Sequence, residues 1–207
     1  ISPNKVVGIL AGGKEAMFRA QEKIEDSAEL GAEKIKEYNL DENDSLVGIA
    51  ASGKTPFVLG AIKEAKKRNS LTVGLSCTEN SALADMSDIE ITPIVGPEVV
   101  TGSTRMKAGT SQKMVLNMIS TTVMIKLGKV YSNLMVDLNP TNEKLRIRAN
   151  KIFTIITDAD SEIAEEFLQK VDYAVKEAVI MYEKEVNEEE AKELLNKNEG
   201  ILRKIIN

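Results

Sequence analysis

Two short apolar runs, with a helix-like segment between them, constrain the fold of this chain more than any other feature of its 207 residues. Residues 46–51 and 71–76 are continuously apolar or small, and residues 57–67 repeat apolar side chains at the spacing of an amphipathic helix. Strands without apolar–polar alternation are typical of parallel sheets that are covered on both faces. The pattern therefore predicts an α/β fold, a three-layer αβα sandwich around a parallel sheet.

Two more strands and a long first helix complete the prediction for the N-terminal part. Residues 5–10 form a short apolar run that ends in small residues. Residues 89–95 form another, which Pro93 interrupts, as suits a sheet edge or a strand end. Residues 14–38 show a charged helical pattern, with a break near Asp26 as an alternative to one continuous helix.

The last part of the chain is predicted to be helical. After residue 95 the strand patterns stop, and Glu and Lys dominate the tail. The helical segments cover residues 141–156, 161–170, 173–183, 188–196 and 199–206. We therefore expect one α/β domain over residues 1–150 and a small all-helical subdomain over residues 151–207.

The absence of histidine limits the chemistry that the chain can perform. The sequence contains no His and one cysteine, Cys77, which excludes a Ser-His-Asp triad, a Cys-His dyad and a disulfide within the chain. An ordinary zinc site is not expected either, since such sites draw on Cys and His. Carboxylates are then the leading candidates for general acid and base roles.

Charge and hydropathy restrict the expected partners and location. The net charge is −5, with acidic and basic residues mixed, which argues against a nucleic-acid surface. The chain has no apolar run of the roughly 20 residues that cross a bilayer, so no membrane partner is expected. A single cysteine fits the reducing cytoplasm.

The segment TGSTRMKAGT at 101–110 is the first candidate binding site. It lies at the predicted start of a long helix and crowds hydroxyls and cations into seven positions: Thr101, Ser103, Thr104, Arg105 and Lys107. Free N–H groups and the positive end of the helix dipole favour an anion at such a place. The helix that follows is too apolar over 114–127 for a solvated surface. We expect it between layers of the fold or in a subunit interface.

Three loops are predicted at the carboxyl ends of the strands, where ligands of open parallel sheets bind. They cover residues 11–13, 52–55 and 76–78. The second loop combines Ser52, Gly53 and Thr55 with a lysine, which are the residue types of a phosphate-binding loop. The alternative is an ordinary turn, which every α/β protein has at this place.

The second loop also matches the Walker A pattern, from Gly48 to Thr55. A true nucleoside-triphosphate loop needs a strand that ends before the first glycine. Here the apolar residues continue through Gly48 to Ala51, which indicates that this glycine lies inside the strand. A magnesium-dependent phosphotransferase is therefore the weaker alternative.

An acidic cluster of Glu22, Glu25 and Asp26 lies on the predicted first helix. Glu22 and Glu25 are three positions apart, so their carboxylates can share one helix face. From the residues alone, a solvated helix surface is the preferred interpretation of this cluster, and a proton-transfer role is the alternative.

Three segments together carry a family resemblance. They read VGIAASGKTPF at 47–57, IVGPEVVTGSTRMKAGT at 94–110, and KLGKVY followed by NLMVD between 126 and 137. With them the chain closely resembles the N-acetylmuramic acid 6-phosphate etherases, which have the sugar isomerase (SIS) fold and are related to the glucokinase regulatory protein. The resemblance runs from Lys5 to about Lys151 and is less distinct through the helical tail.

The resemblance implies a cofactor-free and metal-free cytoplasmic lyase of cell-wall recycling, and proteins of this fold commonly form homodimers. Such enzymes remove the C2 proton of N-acetylmuramic acid 6-phosphate and expel D-lactate from C3, and two glutamates transfer the protons. By its place in the family's motif, Glu25 takes one of these roles, which reverses the preference for a solvated surface there. The implied ligands of the sugar phosphate are Ser52, Gly53, Thr55, Ser103, Thr104, Arg105 and Lys107.

The chain also departs from the family pattern. Lys23 stands where the family has glycine, and residues 78–81 replace a common Asn-Pro-Gly-Ser. The family's other glutamate and its first phosphate loop are expected upstream of Ile1, so we interpret the chain as N-terminally truncated and inactive by itself. A non-catalytic regulator that binds sugar phosphates, like the glucokinase regulatory protein, is the alternative function.

Overall fold

The computed structural model of the protein describes residues 4–19, 21 and 23–206. By its internal contacts the chain divides into two compact units, Ile1–Leu116 and Asn117–Asn207. The first unit contains a 3₁₀ helix (Gly13–Met17), α1 (Ala28–Lys36), β1 (Ser45–Ile49), α2 (Pro56–Lys67), β2 (Leu71–Leu75), α3 (Ala82–Met86) and β3 (Ile89–Ile91). Helix α4 (Lys107–Lys126) contains the boundary between the units. The second unit continues with β4 (Val130–Tyr131), β5 (Leu134–Met135), α5 (Glu143–Thr157), α6 (Ser161–Lys170), α7 (Val175–Lys184), α8 (Glu188–Lys197) and α9 (Arg203–Ile206).

The sheet of the first unit is parallel, with the strand order β1-β2-β3. Helix α2 packs on β1 and β2, and α3 packs on β2 and β3. This arrangement confirms the predicted α/β fold with a parallel sheet. Gly48 pairs with Gly74 inside β1, so the strand does not end before this glycine. The Walker A interpretation therefore lacks the structural context that it requires.

One prediction for the N-terminal part was wrong, and another is confirmed only in its alternative form. Residues 5–10 are not a strand: within the described chain they join no ladder, and Val6 keeps 77% of its surface exposed. An apolar segment becomes a strand only where a neighbouring strand can pair with its backbone groups. Residues 14–38 do not form one continuous helix: they contain most of the 3₁₀ helix and all of α1, and the predicted break near Asp26-Ser27 is confirmed because α1 begins at Ala28. A new helix starts because the Ser27 hydroxyl accepts the Leu30 N–H.

Helices α1 and α2 approach each other more closely than side chains would permit. A Cβ atom at Gly31 would lie 1.9 Å from the Phe57 carbonyl oxygen, and one at Gly60 would lie 1.9 Å from the Ala28 carbonyl oxygen. The crossing therefore depends on these two glycines, which let one backbone rest on the other. Because α1 follows directly on the turn that contains Glu25, the crossing also determines where that turn lies.

Asp88, the residue that precedes β3, links the start of this strand to β2 and α2. Its Oδ2 accepts the Thr72 N–H at 2.9 Å and the Thr72 hydroxyl at 2.6 Å, and its Oδ1 lies 3.0 Å from Lys66 Nζ on α2. These partners, the Thr72 hydroxyl foremost, lower the pKa of Asp88 from 3.8 to about 2. Thr72 itself is fully buried, so the network is anchored in the core.

We expect the protein to lose stability as the pH falls from about 4 to about 2 because Asp88 is protonated in this window. The folded carboxyl has the lower pKa, so its contribution is complete above the unfolded pKa and disappears as the pH falls through the folded pKa. The urea midpoint should therefore fall more steeply with pH for the wild type than for Asp88→Asn. The exposed Asp85→Asn is the control and should keep the wild-type slope. Equal slopes for all three proteins would contradict the assignment.

The second unit is built around a helical core, which confirms the predicted helical C-terminal part. The rings of Phe153, Phe167 and Tyr182 meet there, with centroids 5.5 to 6.2 Å apart. One prediction was wrong, since β4 and β5 pair as a short antiparallel hairpin where only helical pattern was expected. The predicted domain division at residue 150 stays a prediction.

Helix α4 had two predicted locations, between layers of the fold or in a subunit interface. Its buried residues are Ala108 and Val115. Large apolar side chains along the helix are exposed: Met114, Leu116, Met118, Val123 and Ile125. Within the part of the chain that the structure describes, the helix is therefore not covered by other layers. Its composition predicts an apolar surface but does not specify what covers it, and the subunit interface stays a prediction.

Candidate functional site

The loop after β1 is a tight turn around Gly53. Gly53 has a φ of 62°, and its N–H donates to the Ala50 carbonyl oxygen at 2.9 Å. Ser52 is exposed, and its Oγ accepts the Lys54 N–H at 3.3 Å. Thr55 is half-buried at the N-cap of α2, and its hydroxyl makes no capping hydrogen bond. The turn therefore brings two hydroxyl-bearing residues to the start of α2.

The loop after β2 packs directly against Gly53. A Cβ atom at Gly53 would lie 2.3 Å from the Ser81 Cβ and 3.1 Å from the Ser76 Cβ, so a side chain does not fit. Ser81 Oγ donates to Ser76 Oγ at 3.0 Å, and both serines are buried. The Leu83 N–H donates to the Gly53 carbonyl oxygen at 2.9 Å. Buried hydroxyls and a backbone hydrogen bond thus fix the turn.

The loop after β2 also contacts the start of α4. The Cys77 N–H and the Thr78 hydroxyl donate to the Ala51 carbonyl oxygen at 2.9 and 3.1 Å. On the other side, the Cys77 sulfur lies 3.9 Å from the Ala108 carbonyl oxygen in the first turn of α4. Burial, with the charge of Glu98 as a second cause, raises the pKa of the Cys77 thiol, which argues against a nucleophilic role. Two predicted strand-end loops and the start of α4 therefore lie together.

Glu98, which the sequence analysis missed, closes the segment before α4. Its Oε2 accepts the Lys107 N–H and its Oε1 accepts the Ala108 N–H, both at 3.1 Å. The first of these bonds is the largest cause of the lowered pKa of Glu98. N–H groups that were predicted to bind a ligand anion therefore already hold a carboxylate of the chain. The presence of a glutamate shortly before the predicted helix start could have indicated that a carboxylate of the chain binds these N–H groups.

The predicted anion ligands occupy the loop that Glu98 closes. Ser103 is half-buried and donates its N–H to the Val100 carbonyl oxygen at 3.1 Å, whereas Thr104 and Arg105 are exposed. The Lys107 ammonium donates to the Pro97 carbonyl oxygen at 2.9 Å. The Lys107 side chain therefore helps to close the loop in this structure. Ser103, Thr104 and Arg105 lie between the two ends of the loop.

The sequence pattern predicted Glu25 on the first helix, but in the structure it lies in the turn before α1. Lys23 has a φ of 69°, which is incompatible with a continuous helix at this point. The Glu25 side chain is exposed, and its carbonyl oxygen accepts the Phe57 N–H at 3.0 Å. Since Phe57 is in the first turn of α2, this bond holds Glu25 beside Thr55. Glu22, its predicted neighbour, lies outside the described residues.

One predicted loop is missing from this arrangement. Residues 11–13 do not follow a strand, because residues 5–10 do not form one.

The described residues offer no group of three or more Asp, Glu or Cys side chains placed to hold a metal ion. Across the same part of the chain, the structure contains no helix with the length and apolar character to cross a membrane.

Comparison with curated proteins identifies the family. The chain is 54% identical over 206 residues to an N-acetylmuramic acid 6-phosphate etherase of Clostridium beijerinckii, and the match covers 100% of this chain and 68% of the relative. The chain belongs to the N-acetylmuramic acid 6-phosphate etherase family. Etherases of Caldanaerobacter subterraneus subsp. tengcongensis and Bacillus subtilis are 51% and 48% identical, over 67% and 68% of their own lengths. The predicted family is thereby confirmed, and the protein is a carbon–oxygen lyase.

A family model supports the fold of this etherase-family protein. The model described as the glucokinase regulatory protein N-terminal SIS domain matches residues 2–66. The matched part includes Glu25 and the loop at 52–55. The SIS fold expected from the resemblance is therefore confirmed.

Proposed function

We propose that this etherase-family protein cleaves the D-lactyl ether of N-acetylmuramic acid 6-phosphate to N-acetylglucosamine 6-phosphate and D-lactate. Its relatives are named for an etherase activity on this substrate. The supporting observation is the hydrogen bond from Phe57 to the Glu25 carbonyl, which holds a carboxylate residue beside the 52–55 turn. In a chain without histidine, a carboxylate is the group suited to proton transfer at such a site. The reaction is proposed to serve cytoplasmic recycling of cell-wall amino sugars.

The proposed reaction is an elimination followed by a hydration. When the sugar ring is open, the C1 aldehyde delocalises negative charge and makes the C2 proton acidic. Loss of that proton is followed by cleavage of the C3–O bond, and lactate leaves with a proton on its oxygen. Water then adds its hydroxyl to C3 and a proton to C2. The elimination and the hydration involve proton transfers, cleavage of the C3–O bond and addition of water, without a net change of oxidation state, so the proposal includes no cofactor.

Glu25 is proposed to transfer one of these protons. Its side chain is exposed and therefore accessible to a substrate that binds at the neighbouring turn. Protonation of the leaving lactate needs a second group, and the family resemblance implies another glutamate for this role.

The sugar phosphate is proposed to bind through hydroxyls, a backbone turn and two cations. These ligands are Ser52, Gly53, Thr55, Ser103, Thr104, Arg105 and Lys107. The Arg105 guanidinium is exposed and suited to a two-pronged contact with a phosphate. Lys107 would have to exchange the Pro97 carbonyl for the phosphate.

The exposed apolar side chains of α4 are proposed to pack against a second copy of this chain, which would form a homodimer. Monomeric proteins rarely leave a large contiguous apolar surface in water, and α4 exposes several large side chains. Light scattering of the 207-residue chain tests the proposal, and a monomeric mass at high concentration contradicts it.

The enzyme and the non-catalytic regulator are separated by one experiment in D₂O. The chain is incubated with N-acetylmuramic acid 6-phosphate, binding is followed by the melting temperature, and deuterium at C2 and free D-lactate are followed by NMR. We expect a raised melting temperature and deuterium at C2, since proton removal does not require lactate to leave. The unphosphorylated sugar is the control and should give neither. Binding without deuterium or lactate supports the regulator, and no binding contradicts both functions.

A further inference from the structure

The contacts of Glu98 close a loop of the chain at its base. The carboxylate accepts the N–H groups of Lys107 and Ala108, while the Lys107 ammonium donates to the carbonyl oxygen of Pro97, the residue before Glu98. Residues 97–108 therefore begin and end at one cluster of three hydrogen bonds. Because a carboxylate that accepts N–H groups at a helix start also interacts with the helix dipole, this closure is stronger than neutral hydrogen bonds alone.

The loop has little else to hold it in place. Val99 and Met106 keep 88% and 64% of their surfaces exposed, so packing contributes little there. The Ser103 N–H donates to the Val100 carbonyl oxygen within the loop, and the Gly109 N–H, in the first turn of α4, donates to the Thr104 carbonyl oxygen. These bonds do not connect the two ends of the loop. Glu98 therefore accepts two of the three hydrogen bonds that connect the ends of the loop.

Glu98 also lies beside the loops that follow the strands. Its charge contributes to the raised pKa of Cys77, and the Cys77 sulfur contacts the Ala108 carbonyl next to the Glu98 bond. Cys77 in turn donates its N–H to the carbonyl oxygen of Ala51, the residue before the 52–55 turn. A continuous set of contacts thus connects the closure of the 97–108 loop to the proposed phosphate turn.

The geometry excludes Glu98 as the group that donates a proton to the leaving lactate. Each carboxylate oxygen accepts a backbone N–H, and these bonds stabilise the ionised form. A general acid has to be protonated before it acts, and Glu98 is held in the opposite state. Its contribution must therefore come from what it positions.

We propose that Glu98 is a positioning residue, which closes the 97–108 loop so that Ser103, Thr104 and Arg105 meet the sugar phosphate bound at the 52–55 turn. The inference rests on the proposed function, because it presupposes a sugar phosphate as the ligand. The inference adds Glu98 to the proposed binding site as a residue that contacts no substrate atom and acts only by positioning the loop.

Glu98→Gln and Glu98→Ala test this proposal in the 207-residue chain. The glutamine keeps the size but places an NH₂ group against an N–H donor, and the alanine removes both acceptors. We expect the Kd for N-acetylglucosamine 6-phosphate, measured by calorimetry, to rise about tenfold for glutamine and further for alanine. Deuterium incorporation at saturating N-acetylmuramic acid 6-phosphate should stay within about twofold, because Glu25 is untouched.

Glu190→Gln is the matched control. Glu190 also accepts a backbone N–H at a helix start, from Asn187 before α8, but it lies in the second unit and in no proposed site. Its replacement should lower thermal stability and leave the Kd unchanged. Such a result would separate the loss of a helix cap from the loss of loop positioning.

Amide hydrogen exchange supplies a readout that needs no ligand. In the Glu98 variants the amides of Lys107 and Ala108 should exchange about tenfold faster than in the wild type, well below the melting temperature. A wild-type Kd in both variants overturns the positioning role while the proposed function stands. If the wild-type chain binds no sugar phosphate, the proposed function is contradicted. The amide exchange rates then test the loop closure by themselves, and rates of Lys107 and Ala108 that are the same in the Glu98 variants as in the wild type overturn it.

Discussion

Replacement of Glu25 by glutamine is expected to reduce deuterium incorporation at C2 of N-acetylmuramic acid 6-phosphate by roughly 10²–10⁴-fold. The amide keeps the size of the side chain but cannot take up or return a proton. The turn should persist, because its hydrogen bond from Phe57 uses the backbone carbonyl of Glu25 and not the side chain. We therefore expect the affinity for the sugar phosphate, measured by calorimetry, to stay close to that of the wild type.

Asp26→Asn is the control for this replacement. Asp26 is the next carboxyl in the same exposed turn and has no proposed role, so its amide should leave the C2 exchange rate unchanged. The comparison removes the effect of one lost negative charge near the site. Undiminished exchange and lactate release in Glu25→Gln would remove Glu25 from the mechanism, while the family assignment would stand.

Gly60→Ala is expected to destabilise the first unit by about 3 kcal/mol or more. Its Cβ would lie 1.9 Å from the Ala28 carbonyl oxygen, which belongs to the backbone and cannot rotate away as a side chain would. The helices α1 and α2 would have to separate, which would expose the core between them and shift the turn that contains Glu25. The urea midpoint, followed by circular dichroism, measures this loss.

Gly109→Ala is the matched control, since it places the same methyl group on another helical glycine. The nearest atom to its Cβ would be the Thr104 carbonyl oxygen at 3.6 Å, an ordinary contact. In a helix, alanine is favoured over glycine by up to about 1 kcal/mol, so this variant should be as stable as the wild type or more stable. Equal urea midpoints for both variants would show that the α1–α2 crossing tolerates a side chain.

The strand prediction succeeded where a segment had neighbours to pair with. Residues 46–51 and 71–76 became β1 and β2 almost at their predicted bounds, because both are apolar and each provides the hydrogen bonds of the other. Residues 5–10 have the same local pattern but no ladder among the described residues, and they are not a strand. Hydrophobic pattern alone does not distinguish these cases.

The candidate site was predicted in its residue types and only partly in its geometry. The hydroxyl-rich segments at 52–55 and 101–107 were found from composition and spacing. The structure connects the residue next to each of them, Ala51 and Ala108, to the loop after β2. Glu98 was missed because its partners, Lys107 and Ala108, are about ten residues further along the chain, and no local pattern connects them.

The amino-acid sequence by itself determined the strand–helix alternation of the first unit, the dependence on carboxylates in the absence of histidine, and the family motifs. These properties depend on residue type and near-neighbour spacing, which local physical chemistry is sufficient to interpret. Only the tertiary structure decided that Glu25 lies in a turn against α2, that Gly31 and Gly60 allow this approach, and that Glu98 occupies the start of α4. Such contacts join residues far apart in the chain, and their distances are set by the packing of whole helices and strands.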